Sequence, residues 1–115
     1  MHKIFDMPFA RVYPLYLKKI ERKGRTVAQL HEVITWLTGF NNSQIQRQII
    51  EEKTFREFFD EAKLNSNSSL ITGSICGEKI QEIEDPLMLR IRYMDKLVDE
   101  LAQGRPMEKI LRSGM

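Results

Sequence analysis

The residues of this chain best suited to chemistry are one cysteine and two histidines. Cys76 lies within Gly73-Ser74-Ile75-Cys76-Gly77. A reactive thiolate needs a neighbouring base or positive charge to lower its pKa. His2 stands at the start of the chain and His31 at the edge of an apolar helical stripe, and no motif spacing ties either one to Cys76. A Cys76 and His31 dyad is therefore the minority reading. The simpler reading is that small residues four apart, Gly73 and Gly77, let another backbone approach closely, in a tight crossing or a contact between two copies. No His and carboxylate cluster has metal-ligand spacing and no glycine-rich phosphate loop is present, so no metal and no cofactor are expected.

Charge offers two further candidates. Lys18, Lys19, Arg22, Lys23 and Arg25 form the densest basic run, which could hold phosphate or an acidic partner. On a helical wheel Lys18 and Arg22 fall opposite the Tyr13, Tyr16 and Ile20 stripe, so the plainer expectation is the solvated face of an amphipathic helix, with Arg25 free beyond Gly24. The segment 26 to 52 has the spacing of a helix-turn-helix, with Gln44, Gln46, Arg47 and Gln48 as possible base or phosphate contacts. Only Arg47 precedes the acidic Glu51-Glu52, whereas DNA affinity rests on several phosphate contacts, so nucleic acid ranks third among the functional readings. Arg90 falls among Met94, Leu97 and Leu101 on its wheel and must snorkel or pair, for instance with Glu82 or Glu84. Trp36 lies off the main stripe of its helix, either under Phe40 or on a second contact surface.

Helices must position all of these groups. Tyr13, Tyr16, Leu17 and Ile20 recur at helical spacing, with Pro14 in the first turn and Gly24 as a stop, which predicts a first helix over about 13 to 23. Thr26 with Gln29 forms a capping box ahead of Val27, Leu30, Val33, Ile34 and Leu37, and Gly39 ends that run. Ser43 with Gln46, and Thr54 with Glu57, repeat the box ahead of two shorter helices. Asn65 to Ser69 reads as a loop. The stretch 70 to 77 suits a short strand or hairpin, or a small irregular segment, yet Cys76, Ile80 and Ile83 continue a helical stripe, and the reading leans to helix. Asp85-Pro86 is an N-cap followed by proline at the first helical position, and it opens the longest helix, 86 to 103, which Gly104 terminates. Pro106 starts a last turn through Met107, Ile110 and Leu111.

These elements fit one domain. The 115 residues, 42% hydrophobic and 30% charged, support a single core and leave no room for a second. A net charge of +2 argues against nucleic acid as a partner. The charge is uneven, however: residues 1 to 25 carry seven basic and two acidic side chains, and residues 26 to 86 carry five basic and ten acidic ones. No apolar run approaches the roughly 18 residues of a membrane span, the start of the chain lacks a signal-peptide stretch, and a lone cysteine agrees with a reducing compartment, so a cytoplasmic protein is expected.

Several long phrases carry a family resemblance. Val12-Tyr13-Pro14-Leu15-Tyr16, Glu21-Arg22-Lys23-Gly24-Arg25-Thr26, Val33-Ile34 with Trp36-Leu37-Thr38-Gly39-Phe40, Ile71-Thr72-Gly73 with Ile75-Cys76-Gly77, and Ile91-Arg92-Tyr93 with Asp95 to Ala102 resemble the small bacterial family called domain of unknown function 2200. Thr35 and Ser66 stand where members often have Cys and Pro. The resemblance implies a compact cytoplasmic bacterial protein and supplies no catalytic residues. If its phrases mark a surface, the candidates are Tyr13, Tyr16, Arg25, Trp36, Thr38, Cys76, Arg92 and Asp95.

The sequence thus predicts an all-α bundle of five to seven short helices, with 86 to 103 at its centre and 26 to 38 packed against it. The leading functional expectation is a non-enzymatic interaction or oligomerisation module, with self-association possible. An enzyme or binder of a small molecule or anion, using a pocket near Tyr13, Arg25 and Cys76, is second. A DNA binder through 26 to 52 is third.

Overall fold

A computed structural model describes residues 2–113 and contains six α-helices: α1 Phe9–Glu21, α2 Val27–Thr38, α3 Asn42–Ile50, α4 Phe55–Glu61, α5 Pro86–Ala102 and α6 Met107–Ile110. The one small sheet is a hairpin of β1 Ser74–Ile75 and β2 Glu78–Lys79. Among the described residues the fold is all-α, with this hairpin and three short 3-10 turns, Lys3–Asp6, Ser68–Leu70 and Ile80–Glu82, between the helices or ahead of them.

Local chemistry sets most helix boundaries. In α2 and α4 the capping boxes form as expected: Thr26 Oγ1 accepts from the Gln29 amide at 3.1 Å, and Thr54 Oγ1 from the Glu57 amide at 3.1 Å. Gly39 ends α2 at φ +76, and a Cβ there would press against the Lys63 carbonyl oxygen at 3.3 Å, so both conformation and space call for glycine. Asp85 caps α5 by accepting from the Met88 amide at 2.9 Å, with Pro86 at its first position.

Three expectations are corrected. α1 begins at Phe9, four residues before the expected start, because the Phe9 amide donates to the Lys53 carbonyl at 2.8 Å and Pro8 bridges Thr54. This long-range anchor places Pro14 inside the helix instead of in its first turn. The third box is Asn41 with Gln44, not Ser43 with Gln46, and its two reciprocal bonds are both 2.8 Å. The earlier register is favoured because His31 Nδ1 and Asn42 Oδ1, 3.1 Å apart, tie the start of α3 to α2. Finally, the segment expected to lean helical is the hairpin, and the Ile80 and Ile83 end of that stripe is a short 3-10 turn. Cys76 and Gly77 both have positive φ, +54 and +78, as the tightest two-residue hairpin turn requires.

α5 is the central element and packs against α1, α2, α4 and α6. Its Met88, Ile91, Met94, Leu97, Val98 and Leu101 meet Leu30, Val33, Ile34 and Leu37 of α2 and a cluster of phenylalanines. Phe9 stacks on Phe58 at 4.4 Å between centroids, and Phe40 meets Phe58 edge-on at 5.2 Å. The Cα radius of gyration, 13.2 Å, is that of a fully folded chain of this length. Among the described residues no helix is long and apolar enough to cross a membrane.

Candidate functional site

Leu15, Lys18 and Lys19 of α1, Arg22 at its C-cap and Lys23 in the turn that follows have the i, i+3, i+4, i+7, i+8 spacing of one helix face. Asp95, Val98, Asp99 and Ala102 of α5, with Gln103 at its C-cap, repeat the same spacing. The two faces lie side by side, and the helices run in the same direction: Tyr16 Oη donates to Asp95 Oδ1 at 2.6 Å, and one turn further on Lys19 Nζ meets Asp99 Oδ1 at 3.1 Å. The seam between them is a groove in two connected parts. A cavity of about 400 Å³ is lined by Leu15, Lys18, Lys19, Arg22, Lys23, Asp99, Ala102 and Gln103. A smaller one of about 180 Å³ shares Leu15 and Lys19 and ends against Ile75 and Cys76 of the hairpin.

The hairpin end is rigidly tied. Arg92 Nη1 donates to Asp95 Oδ2 at 2.9 Å, and its Nε donates to Glu78 Oε1 of β2 at 3.0 Å. Lys96 Nζ donates to the Ser74 carbonyl at 3.2 Å. Burial, reinforced by the Asp95 charge, pushes the Tyr16 pKa well above the ordinary tyrosine value and keeps the hydroxyl a donor. Partial burial works against charge on Arg92, yet the Asp95 and Glu78 carboxylates outweigh it and raise its pKa.

The open end has a different character. Leu15 is 62% exposed, a large apolar side chain set among four cations. Of those four, Lys19 has the Asp99 carboxylate, and Lys18, Arg22 and Lys23 form no ion pair among the described residues. The basic run expected to be a solvated face is solvated, and it also forms one wall of a groove.

Four of the eight sequence candidates meet here: Tyr16, Cys76, Arg92 and Asp95. The other four serve elsewhere. Tyr13 Oη lies 2.5 Å from His31 Nε2, and burial raises its pKa with help from Glu21. Arg25 Nη2 reaches Met107 Sδ at 3.4 Å, while its Nε is buried without a partner. Thr38 is buried, donating to the Ile34 carbonyl at 2.7 Å and accepting from the Phe40 amide at 3.1 Å. Trp36 is half-buried against the core, and its carbonyl accepts from Asn65 Nδ2 at 3.1 Å. Tyr13, Arg25 and Cys76 are thus held on three separate contacts. Both nitrogens of His31 face other groups, Tyr13 and Asn42, and Cys76 is exposed at the hairpin tip, so the Cys76 and His31 pair does not form. Of the residues considered for DNA, Gln44 caps α3, Gln48 is buried, and Arg47 pairs with Glu61 at 2.6 Å.

Sequence reasoning missed Leu15, Asp99, Ala102 and Gln103. Leu15 left a signal, since an apolar residue at i−3 and i−4 from Lys18 and Lys19 interrupts an otherwise charged face.

Fold and site together define a small all-α domain with a basic, apolar-floored groove between two helices running in the same direction. The chain belongs to the bacterial family DUF2200, described as an uncharacterized protein conserved in bacteria, which matches residues 3–112. It is similar to the protein in the crystal structure of uncharacterized protein SP1917, with 42% identity, a TM-score of 0.89, and coverage of 96% of this chain and 93% of that one. Comparison with curated proteins finds no match.

Proposed function

We propose that the protein is a non-enzymatic cytoplasmic interaction module that captures an acidic protein partner in the α1–α5 groove. One observation carries this reading: of the four cations Lys18, Lys19, Arg22 and Lys23 around an exposed leucine, only Lys19 pairs with the one carboxylate of the cavity lining, Asp99. Cations left unpaired at a rim steer oppositely charged partners and fix their orientation. Attraction to the α1 C-terminal dipole accounts for Lys18 and Lys19 in the last turn and Arg22 at the C-cap, but not for a leucine exposed beside them. Several polar groups near the groove are in contrast already engaged: Tyr16 and Arg92 both bond Asp95, and His31 has a neighbour at each nitrogen, while Cys76 is exposed at the hairpin tip with no histidine beside it.

The test is fluorescence anisotropy of a labelled oligoglutamate, titrated with the wild type and with the K18E/R22E/K23E variant. The expected result is salt-sensitive binding by the wild type that the variant loses. Binding by neither protein, or equal binding by both, overturns the reading.

A further inference from the structure

We infer that the partner element seated in the groove is an amphipathic helix with one apolar ridge and acidic flanks. This inference rests on the acidic-partner reading above and specifies what that partner presents.

The shape of the groove is the first argument. It follows two helices that run side by side, and its floor is made by side chains four residues apart on each: Leu15 and Lys19 on α1, Val98 and Ala102 on α5. A third helix laid along such a seam places its own i, i+3, i+4 and i+7 ridge between the two rows, the usual way one helix fills the groove of others. From Asp95 to Gln103 the α5 wall spans about 12 Å at 1.5 Å per residue, room for two turns of a docked helix. The hairpin residues Ile75 and Cys76 close one end, which sets how far the helix can enter.

Chemistry is the second argument. The groove presents Leu15 at 62% exposure over Val98 and Ala102, which are buried at 1% and 8%, and an extended polyanion would leave that leucine uncovered. Above it stand Lys18, Arg22 and Lys23 without carboxylates. A ligand that satisfies both needs apolar and acidic side chains on adjacent faces, which is the pattern of an acidic amphipathic helix. Nucleic acid fits less well, because no aromatic ring is exposed in the groove for a base to stack upon: Tyr16 is 7% exposed and its hydroxyl is held by Asp95. A membrane surface also fits less well, since Leu15 is a single apolar anchor and the opposite wall carries Asp99.

The experiment compares two labelled peptides of identical Leu, Ala and Glu composition. In one the leucines recur at i, i+3, i+4 and i+7, and in the other the order is scrambled. The wild type is expected to bind the patterned peptide at least about tenfold more tightly, the scale of burying one leucine side chain. That preference should collapse in Leu15→Gln, an exposed substitution compatible with folding, and K18E/R22E/K23E should lose both peptides. Equal affinity for both peptides, with Leu15→Gln indifferent, overturns the helix while leaving the acidic-partner reading intact. Failure of the wild type to bind either peptide overturns both. Preference for a single-stranded oligonucleotide or for anionic vesicles over the patterned peptide overturns the inference. So does a concentration-dependent rise in mass by light scattering that K18E/R22E/K23E abolishes, since the occupant would then be a second copy.

Discussion

Two clusters of charge lie on α5 and use the same chemistry in opposite proportions. Near its C-terminal end Glu100 is 2% exposed and shared by two guanidiniums: Arg112 donates to its oxygens at 2.7 and 2.8 Å, and Arg105 donates at 2.9 Å. One residue earlier, on the adjoining face, Asp99 is the one carboxylate among four cations of the groove. In the first cluster a buried anion is saturated, and the bonds close residues 105 and 112 onto α5. In the second, positive charge exceeds its local partners and faces solvent. Buried charge must be matched to be tolerated, so the saturated cluster is explained by folding alone. Exposed charge carries no such requirement, and its surplus is free to meet another molecule.

The comparison breaks most visibly at Glu100. Glu100→Ala should cost about 3 kcal/mol, because it strands Arg112, whose side chain is only 15% exposed, without its carboxylate. Urea unfolding followed by circular dichroism checks this, and a loss near zero would mean that the clamp is ornamental. Tyr16→Phe should cost less, about 1 kcal/mol, since it removes one hydrogen bond while Arg92 still holds Asp95. The same variant tests a pH dependence. The Tyr16 pKa is raised in the folded state, so its contribution is complete below the unfolded tyrosine value of about 10 and declines above it, where the unfolded chain ionises first. Wild-type stability should therefore fall more steeply between pH 9 and pH 11 than that of Tyr16→Phe, as roughly the range around that value. The smallest effect on stability is expected for K18E/R22E/K23E. None of the three residues has an ion pair to lose among the described residues, so only the attraction to the α1 C-terminal dipole is reversed, and the loss should stay below about 1 kcal/mol even though binding is gone.

How much of this was legible in the sequence depended on distance along the chain. The boxes at Thr26 and Thr54 and the Asp85-Pro86 start were readable because donor and acceptor lie three residues apart. Ser43 with Gln46 reads locally as the third box, whereas the structure forms Asn41 with Gln44, beside a contact between His31 and Asn42 that no local pattern contains. The start of α1 depends on Lys53, and the hairpin depends on Arg92 and Lys96. Two-residue strands leave no periodicity, and Cys76 occupies a left-handed position that asparagine or glycine more often marks. The groove was half legible. The α1 basic run and Tyr16, Arg92 and Asp95 were visible as residues, but only the pairing of α1 with α5 turns a charged face into a wall opposite Asp99 and Gln103.

The most direct test of the groove follows backbone amide shifts of the isotopically labelled protein as the patterned acidic peptide is added. Binding in the seam predicts changes concentrated in residues 15 to 23 and 95 to 103, with the α2 and α3 amides unmoved. Changes centred on α2 and α3, or saturating binding that leaves the α1 and α5 amides in place, would contradict it.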